Sequence, residues 1–336
     1  MIAQLDTEAV YATSRRSRAL DLLLRYGGLL VIVLVFAYFA LLSPVFLTVD
    51  NMVAVLKQTA VLAVAAFGAA TVMIGGGTHI IKGGIDLSVV AQLVLVTAIY
   101  ALLLSNGFDP IIAMAVGAAA ALLVGLVNGI AVAVIGIVPL LATLAMQNIV
   151  AGTELLITNN LNVPVMSPFI DWLSNGEILF MPVSVVILVV TFLGYSILIE
   201  RTPLGVQIRA TGGSRDAAIQ SGIAVRRNTM LTYMLASLAV AIAAIIVVGR
   251  VSGSVRGIGP LMLLDILLAA YVSAMFSRRW VINIPGTLVG AIFVGVLTNG
   301  FTLVNIQTYW VLAVKGALIL IVVAATSLQR QREAIR

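Results

Sequence analysis

The chain has 336 residues, of which 62% are hydrophobic and 10% charged, and its mean hydropathy is +1.17. These values exclude an ordinary water-soluble domain. The net charge of +6 comes from basic residues beside apolar segments, a pattern that orients membrane proteins and does not indicate a nucleic-acid partner. Because the chain has no cysteine, disulfides, thiolate metal sites and cysteine nucleophiles are also excluded.

Long apolar blocks predict an all-α integral membrane protein. The N-terminal segment carries four arginines before an apolar run without a small-residue cleavage pattern, so we expect a retained helix and not a signal peptide. The transmembrane domain is expected at 26–328, between cytoplasmic tails at 1–25 and 329–336. Apolar windows predict about ten membrane-spanning helices, near 26–43, 54–74, 87–105, 110–135, 139–157, 181–199, 229–249, 260–277, 286–304 and 309–328.

The distribution of lysine and arginine predicts that both termini are cytoplasmic. With ten spans, fifteen of the nineteen basic residues fall on the inner side, and the exceptions are Lys57, Arg250, Arg256 and Lys315. The connection 158–180 has two acidic residues and no basic one, so we expect it outside. The connection 200–228 carries five arginines and is expected in the cytoplasm.

A short internal echo suggests two inverted repeats of five helices. The Gly-Leu-Val-Asn-Gly stretch that contains Asn128 resembles a Gly-x-x-x-Asn-Gly stretch that contains Asn299, about 170 residues later. Five helices in each half would give the halves opposite orientations in the membrane, as in inverted-repeat transporters.

The connection between the second and third predicted spans, residues 75–88, is rich in glycine. It has five glycines and also contains His79, Lys82 and Asp86. Glycine permits sharp turns and close packing, and Asp86 is a candidate N-cap for a helix beginning at Leu87. We interpret the segment as a capped, tightly packed turn, with direct substrate contact as the alternative.

Several stretches of the chain form a recognisable set. They are Gly83-Gly84-Ile85-Asp86-Leu87-Ser88-Val89, Gly125-Leu126-Val127-Asn128-Gly129, Pro139-Leu140-Leu141-Ala142, Arg201 through Ile223, Asn299-Gly300 and Val314-Lys315-Gly316. Together these stretches resemble the permease subunits of ribose-type ATP-binding-cassette (ABC) sugar importers. The resemblance runs from about Val45 to Val323 and departs from the family pattern at 271–280, where glycines are lost and two arginines appear. A second departure is Val138-Pro139-Leu140, where a Pro-Pro or Pro-Phe pair is usual.

The resemblance implies a non-catalytic subunit that carries a monosaccharide or related polyol across the bacterial cytoplasmic membrane. The partners that it implies are an ABC ATPase subunit, an extracytoplasmic sugar-binding protein, a second permease copy or a paralogue, and the lipid bilayer. The chain has no Gly-x-x-x-x-Gly-Lys-[Ser/Thr] phosphate-binding loop. We therefore expect it to bind no cofactor, with ATP and Mg used by the partner ATPase.

The arginine-rich segment 200–228 is the candidate ATPase-coupling loop. Pro203 and Gly205 are predicted to end the preceding helix, and Ser214 to cap a short helix through Gln220. In the importers that this chain resembles, the corresponding loop docks into a groove on the ATPase; the alternative is that the arginines only enforce orientation. The residues assigned to coupling are Thr202, Pro203, Leu204, Gly205, Arg209, Gly212, Gly213, Ala217, Ala218, Ser221, Gly222 and Ile223, and those assigned to the family's signature loop are Gly83, Gly84, Asp86 and Ser88.

Polar side chains inside the predicted spans should face protein or water, because lipid penalises them. Amides both donate to and accept from sugar hydroxyls, so four of them are candidates for the translocation path. Hydrogen bonding between helices is their alternative role. These amides are Asn128, Gln147, Asn148 and Asn299. The carboxyl groups of Glu154 and Asp265 lie near predicted outer ends and are expected to be solvated.

Other functions stay open at this point. A permease for branched-chain amino acids or another small polar solute belongs to the same broad superfamily. An ion-coupled carrier would need charged residues near the middle of the bilayer, whereas the acidic groups here lie towards span ends. An intramembrane enzyme would need a nucleophile with a partner or a metal set, and the single histidine, His79, argues against the metal version.

Overall fold

The structure, a computed structural model, describes residues 30–77, 84–257, 259–277 and 280–334. Several features singled out in the sequence lie outside these described residues, namely the tail 1–25, His79, Lys82, Gly83, Arg278, Arg279 and the last two residues of the C-terminal tail.

The described chain is built almost entirely from helices. A π-helical turn, Ala131–Ile135, extends α4, and a 3-10 turn, Ser273–Phe276, extends α11. The order is α1 Leu30–Leu42, α2 Val49–Gly76, α3 Val89–Ser105, α4 Pro110–Ile130, α5 Pro139–Ile157, β1 Val163–Pro164, α6 Pro168–Asn175, β2 Glu177–Ile178, β3 Met181–Pro182, α7 Val183–Arg201, α8 Pro203–Gly213, α9 Arg215–Gln220, α10 Val225–Arg250, β4 Gly253–Ser254, α11 Gly259–Val272, α12 Ile284–Leu303 and α13 Thr308–Ala334.

The all-α membrane class predicted from the sequence is confirmed. Six helices among the described residues, α2, α4, α5, α7, α10 and α12, are long and apolar enough to cross a bilayer. Four shorter apolar helices, α1, α3, α11 and the first part of α13, coincide with the remaining predicted spans. The count of ten crossings and the two inverted repeats stay predictions.

Two helices, α2 and α10, form the centre of the bundle. They pack against each other, and around them lie α3, α4, α7, α11 and α12. Gly68 allows this close approach, because a Cβ at that position would lie 2.8 Å from the carbonyl oxygen of Ala236 on α10. The α2 surface is therefore almost completely buried within the single chain.

The flanking helices α4, α5 and α7 bury far less of their apolar surface. Leu123, Leu141 and Val190 are each at least 60% exposed in the isolated chain. Such side chains fit a surface that contacts lipid or a second membrane subunit.

The two ends of the bundle carry different short elements. At one end, β1 pairs with β4, β2 pairs with β3, and the Lys57 ammonium donates to the Ser174 carbonyl, which ties α2 to α6. We call this the α6 end. Helices α8 and α9 lie at the other end of α7, which we call the α8 end.

Candidate functional site

The predicted coupling segment begins with a tight junction between α7 and α8. The hydroxyl oxygen of Thr202 accepts a hydrogen bond from the Gly205 amide at 3.1 Å, with Pro203 in the first turn. A Cβ on Gly205 would overlap the Ile199 carbonyl oxygen, so the turn needs glycine there. The prediction that Pro203 and Gly205 only end a helix was incomplete, because proline at the first helical position also starts one.

Side chains on α8 fasten it to α7. The Arg209 guanidinium donates to the Ile199 carbonyl and, at 3.2 Å, to the Glu200 carboxylate. Leu204 packs against the main hydrophobic core. Arg209 is thus engaged within its own chain, where it satisfies carbonyls at the end of α7.

Helix α9 forms where the sequence predicts it. The Ser214 hydroxyl oxygen accepts from the Ala217 amide at 3.4 Å, and the helix ends at Gln220. Gly222 has a φ of +75°, and the Ile223 amide donates to the Ala218 carbonyl at 3.0 Å. Glycine permits this left-handed C-terminal turn at little cost.

Neighbouring residues on α9 face opposite environments. Ala218 is buried, with 3% of its surface exposed, whereas Ala217 and Ser221 are exposed and Ile219 is 55% exposed. Ala217 and Ile219 can therefore meet a partner, while Ala218 packs inside the chain.

The end of α8 meets the end of α2 through backbone. A Cβ on Gly212 would overlap the Ile74 carbonyl oxygen, and a Cβ on Gly77 would lie 2.5 Å from the Gly212 carbonyl oxygen. Gly213 faces open space. The Asn228 amide on α10 donates to the Thr211 hydroxyl oxygen at 3.3 Å. These contacts hold α8 against both central helices.

The signature loop enters α3 through a turn that the sequence analysis did not predict. Helix α3 begins at Val89, so the prediction that Asp86 caps a helix starting at Leu87 was wrong. The Asp86 carboxylate instead accepts from the amide and the hydroxyl of Ser88, at 2.9 and 2.5 Å, in a turn before the helix. Gly84 packs tightly, since a Cβ there would overlap the Val72 carbonyl oxygen.

A buried hydrogen-bond network extends from this turn into three helices. The Ser88 hydroxyl oxygen accepts from the Gln92 and Asn128 amides, each at 2.8 Å, and the Ser237 hydroxyl donates to Gln92 at 2.7 Å. Burial raises the pKa of the Asp86 carboxyl to about 6, against the opposing effect of the Ser88 hydrogen bonds. The network joins α3, α4 and α10 below the signature loop.

The structure separates the four amides proposed for the translocation path. Asn128 belongs to the buried network, and Asn299 exchanges two hydrogen bonds with Asn51, at 2.8 and 3.1 Å. On α5, Gln147 is half-buried and Asn148 is exposed. The first two amides bond helices together, and the second two reach the surface of the single chain.

Sequence reasoning missed an ion pair between α11 and α13. The Lys315 ammonium lies 2.7 Å from one Asp265 carboxylate oxygen, and only 5% and 17% of the two side chains are exposed. Glu154 is also buried, so the expectation that Asp265 and Glu154 are solvated was wrong. The exceptional position of Lys315 in the charge distribution was the available signal.

Comparisons with known proteins give a consistent picture. The family described as branched-chain amino acid transport system / permease component matches residues 51–323. The ribose import permease of Bacillus subtilis is 30% identical over 95% of this chain and 98% of its own length. A galactofuranose transporter permease of Escherichia coli is 35% identical over 69% and 70%, and its D-allose permease is 29% identical over 89% and 90%. No solved structure matches the chain significantly.

Proposed function

Because this chain belongs to the permease-component family of branched-chain amino acid transport systems, we propose that it is the membrane-spanning subunit of an ATP-driven importer for a monosaccharide or related polyol. The observation that carries this proposal is the similarity, over nearly its whole length, to ribose import permeases. Permeases for galactofuranose and allose support the same substrate class.

The chain transports and leaves ATP chemistry to a partner. We assign ATP and Mg to a separate ABC ATPase subunit, because the sequence lacks the phosphate-binding loop that such chemistry uses. An extracytoplasmic binding protein delivers the sugar, and a second permease copy or a paralogue completes the path. The chain itself binds no cofactor in this scheme.

Helices α8 and α9 transmit the force of ATPase closure. Arg209 fixes α8 to α7, and the Gly212 backbone touches α2, so a push on α9 reaches the central helix without an intervening flexible linker. Ala217 and Ile219 are the exposed residues that would enter the ATPase groove. The same geometry makes Thr202, Ser214 and Gly222 positioning residues, since they begin and end the two helices.

The ten apolar helices cross the cytoplasmic membrane with both termini inside. This arrangement puts the α8 end in the cytoplasm and the α6 end outside, in agreement with the excess of arginine in 200–228. Single cysteines at Asn175 and Ser214, introduced into the cysteine-free chain, test it. An impermeant thiol reagent applied to intact cells should label the first position only; labelling of the second alone would invert the topology.

The translocation path runs along α5, between two permease subunits. An exposed amide in lipid is costly, so the exposed Asn148 and the half-buried Gln147 should meet water or the second subunit. Asn128 and Asn299 already have partners on neighbouring helices and support the path as packing residues. Asn148→Leu should therefore reduce uptake in an assembled complex more than the matched change Ile149→Leu.

Reconstitution with the ATPase and binding protein tests the function itself. Proteoliposomes that contain the complete complex should accumulate at least one radiolabelled sugar or polyol from a panel of ribose, galactose, allose and glucitol, and only with ATP. Accumulation of leucine in place of all sugars would assign the chain to the amino-acid alternative. Accumulation of a sugar driven by an ion gradient without ATP would identify the chain as an ion-coupled carrier.

A further inference from the structure

A cavity of about 340 Å³ opens between five helices at the α6 end of the bundle. Its walls come from α2, α10, α11, α12 and the first turns of α13. This volume lies within the range of roughly 300–1,000 Å³ that is usual for small-molecule sites. The cavity lies inside one chain and is distinct from the surface of α5.

The wall of this cavity combines apolar surface with a few polar groups. Apolar contacts come from Val61, Leu62, Val247, Met262 and Val311. The polar residues that line it are Gln58, Arg250, Asp265, Thr298, Thr302, Thr308 and Lys315. Polar groups set into an apolar wall can fix the orientation of a small ligand.

One of the basic residues that line the cavity has no protein partner among the described residues. Of the four basic residues that the charge distribution places outside, Lys57 donates to the Ser174 carbonyl, and Arg256 donates to Asn160. Lys315 pairs with Asp265. Within the described part of the chain, Arg250 has no hydrogen bond or ion pair, although it lines the cavity. The end of α10 favours a positive charge, and Arg250, which is exposed in the isolated chain, keeps its guanidinium donors free to meet water or a ligand.

The charges of the cavity select an anion. Lys315 and Asp265 neutralise each other, so Arg250 leaves one uncompensated positive charge at the wall. A guanidinium binds a carboxylate through two parallel hydrogen bonds. The hydroxyls of Thr298 and Thr302 donate to carbonyls of their own helix, so their oxygens are available to accept from hydroxyl groups of a ligand.

We propose that this cavity is a binding site for a small solute that carries one carboxylate and several hydroxyl groups, such as a sugar acid, with Arg250 holding the carboxylate. The Gln58 amide and the threonine oxygens meet the hydroxyls, and the Lys315–Asp265 pair forms part of the polar wall. The site goes beyond the proposed transport, because the bound solute need not be the cargo of the importer.

Gluconate and glucitol provide a matched pair of probes, since they differ by a carboxylate in place of a hydroxymethyl group. Calorimetric titration of the purified full-length chain in detergent should give a dissociation constant for gluconate about tenfold or more below that for glucitol, as expected for one charge-assisted contact. Arg250→Gln should remove this preference, and Arg250→Lys should retain only part of it. Arg256→Gln, at the same end of the bundle, should leave it unchanged.

Equal binding of gluconate and glucitol, or an unchanged preference in Arg250→Gln, would overturn the proposal. The melting temperature of each ligand-free variant shows whether it is folded, and Arg250→Lys provides a second measurement if Arg250→Gln is unstable. An anionic lipid headgroup offers the same chemistry as a sugar acid. Gluconate binding in phosphatidylcholine nanodiscs that is lost in phosphatidylglycerol nanodiscs would assign the site to lipid and overturn the assignment to a soluble solute.

Discussion

Gly212 on α8 lies so close to Ile74 on α2 that a Cβ on Gly212 would overlap the Ile74 carbonyl oxygen. The neighbouring Gly213 faces open space. Two adjacent glycines therefore have different surroundings: the first joins the proposed coupling unit to the central helix, and at the second an added Cβ would meet none of the described residues.

This difference predicts the behaviour of two matched variants. Gly212→Ala should push α8 away from α2 and weaken the coupling between ATP hydrolysis and transport, so substrate-stimulated hydrolysis should fall about fivefold or more. Gly213→Ala should stay close to wild type. ATP hydrolysis by the reconstituted complex, with and without loaded binding protein, measures both. Equal activity of the two variants would show that the α8–α2 contact does not transmit force.

The exposed face of α9 gives a second prediction. Ala217→Glu should produce a folded, membrane-inserted permease that fails to retain its ATPase, because a bulky charge should clash with the docking groove that we propose on the ATPase. Asn175→Glu, at the other end of the bundle, should not affect association. Co-purification of the ATPase with each tagged permease variant measures the effect. If Ala217→Glu retained the ATPase at the wild-type level, segment 200–228 would serve only to orient the protein in the membrane.

The structure also excludes Ala218 as an equivalent test position. It is 3% exposed, so a glutamate there would bury a charge within the permease and destabilise the chain itself. The sequence analysis assigned both Ala217 and Ala218 to the coupling segment but could not predict that one is exposed and the other buried. That difference depends on how α9 packs against α8, a helix that the sequence analysis did not predict.

The sequence predicted the features of the structure that depend on residues close together in the chain. Apolar windows located the six long and four shorter apolar helices of the described residues, and the Ser214 cap was recognised because capping depends on residues only three positions apart. The same approach was incomplete at Pro203, because the preceding helix does end there but the proline also begins α8. It failed at Asp86, whose hydrogen bonds to Ser88 form a turn that precedes α3.

Contacts between residues distant in sequence could not be predicted from such local patterns. The Lys315–Asp265 pair joins residues 50 positions apart, and the Asn51–Asn299 pair joins residues 248 apart. A single polar residue in an apolar window indicates that some partner exists but does not identify it. The cavity beside Arg250 likewise arises from five helices whose packing the sequence did not specify.

The buried Asp86 carboxyl predicts a pH-dependent stability. Its pKa is raised from 3.8 to about 6, so the folded protein favours the neutral form. The contribution to stability is therefore complete below the ordinary pKa and is lost as the pH rises through about 6. Asp86→Asn keeps an oxygen that can accept from Ser88 but cannot ionise. The melting temperature of wild type relative to this variant should fall between about pH 4 and pH 7; a constant difference would show that Asp86 does not titrate there.

The Lys315–Asp265 pair predicts a strongly non-additive double mutant. Lys315→Met leaves the Asp265 carboxylate without its partner in a largely buried position, which should cost about 3 kcal/mol or more of unfolding free energy. Asp265→Leu alone should be destabilising for the reciprocal reason. The double variant replaces both charges with apolar groups of similar size and should recover most of the stability, since a buried ion pair contributes little beyond a hydrophobic contact.

Unfolding of the purified chain in mixed micelles, followed by tryptophan fluorescence, measures all three variants. Additive losses would mean that the two charges are solvated independently in the membrane, contrary to their 2.7 Å separation.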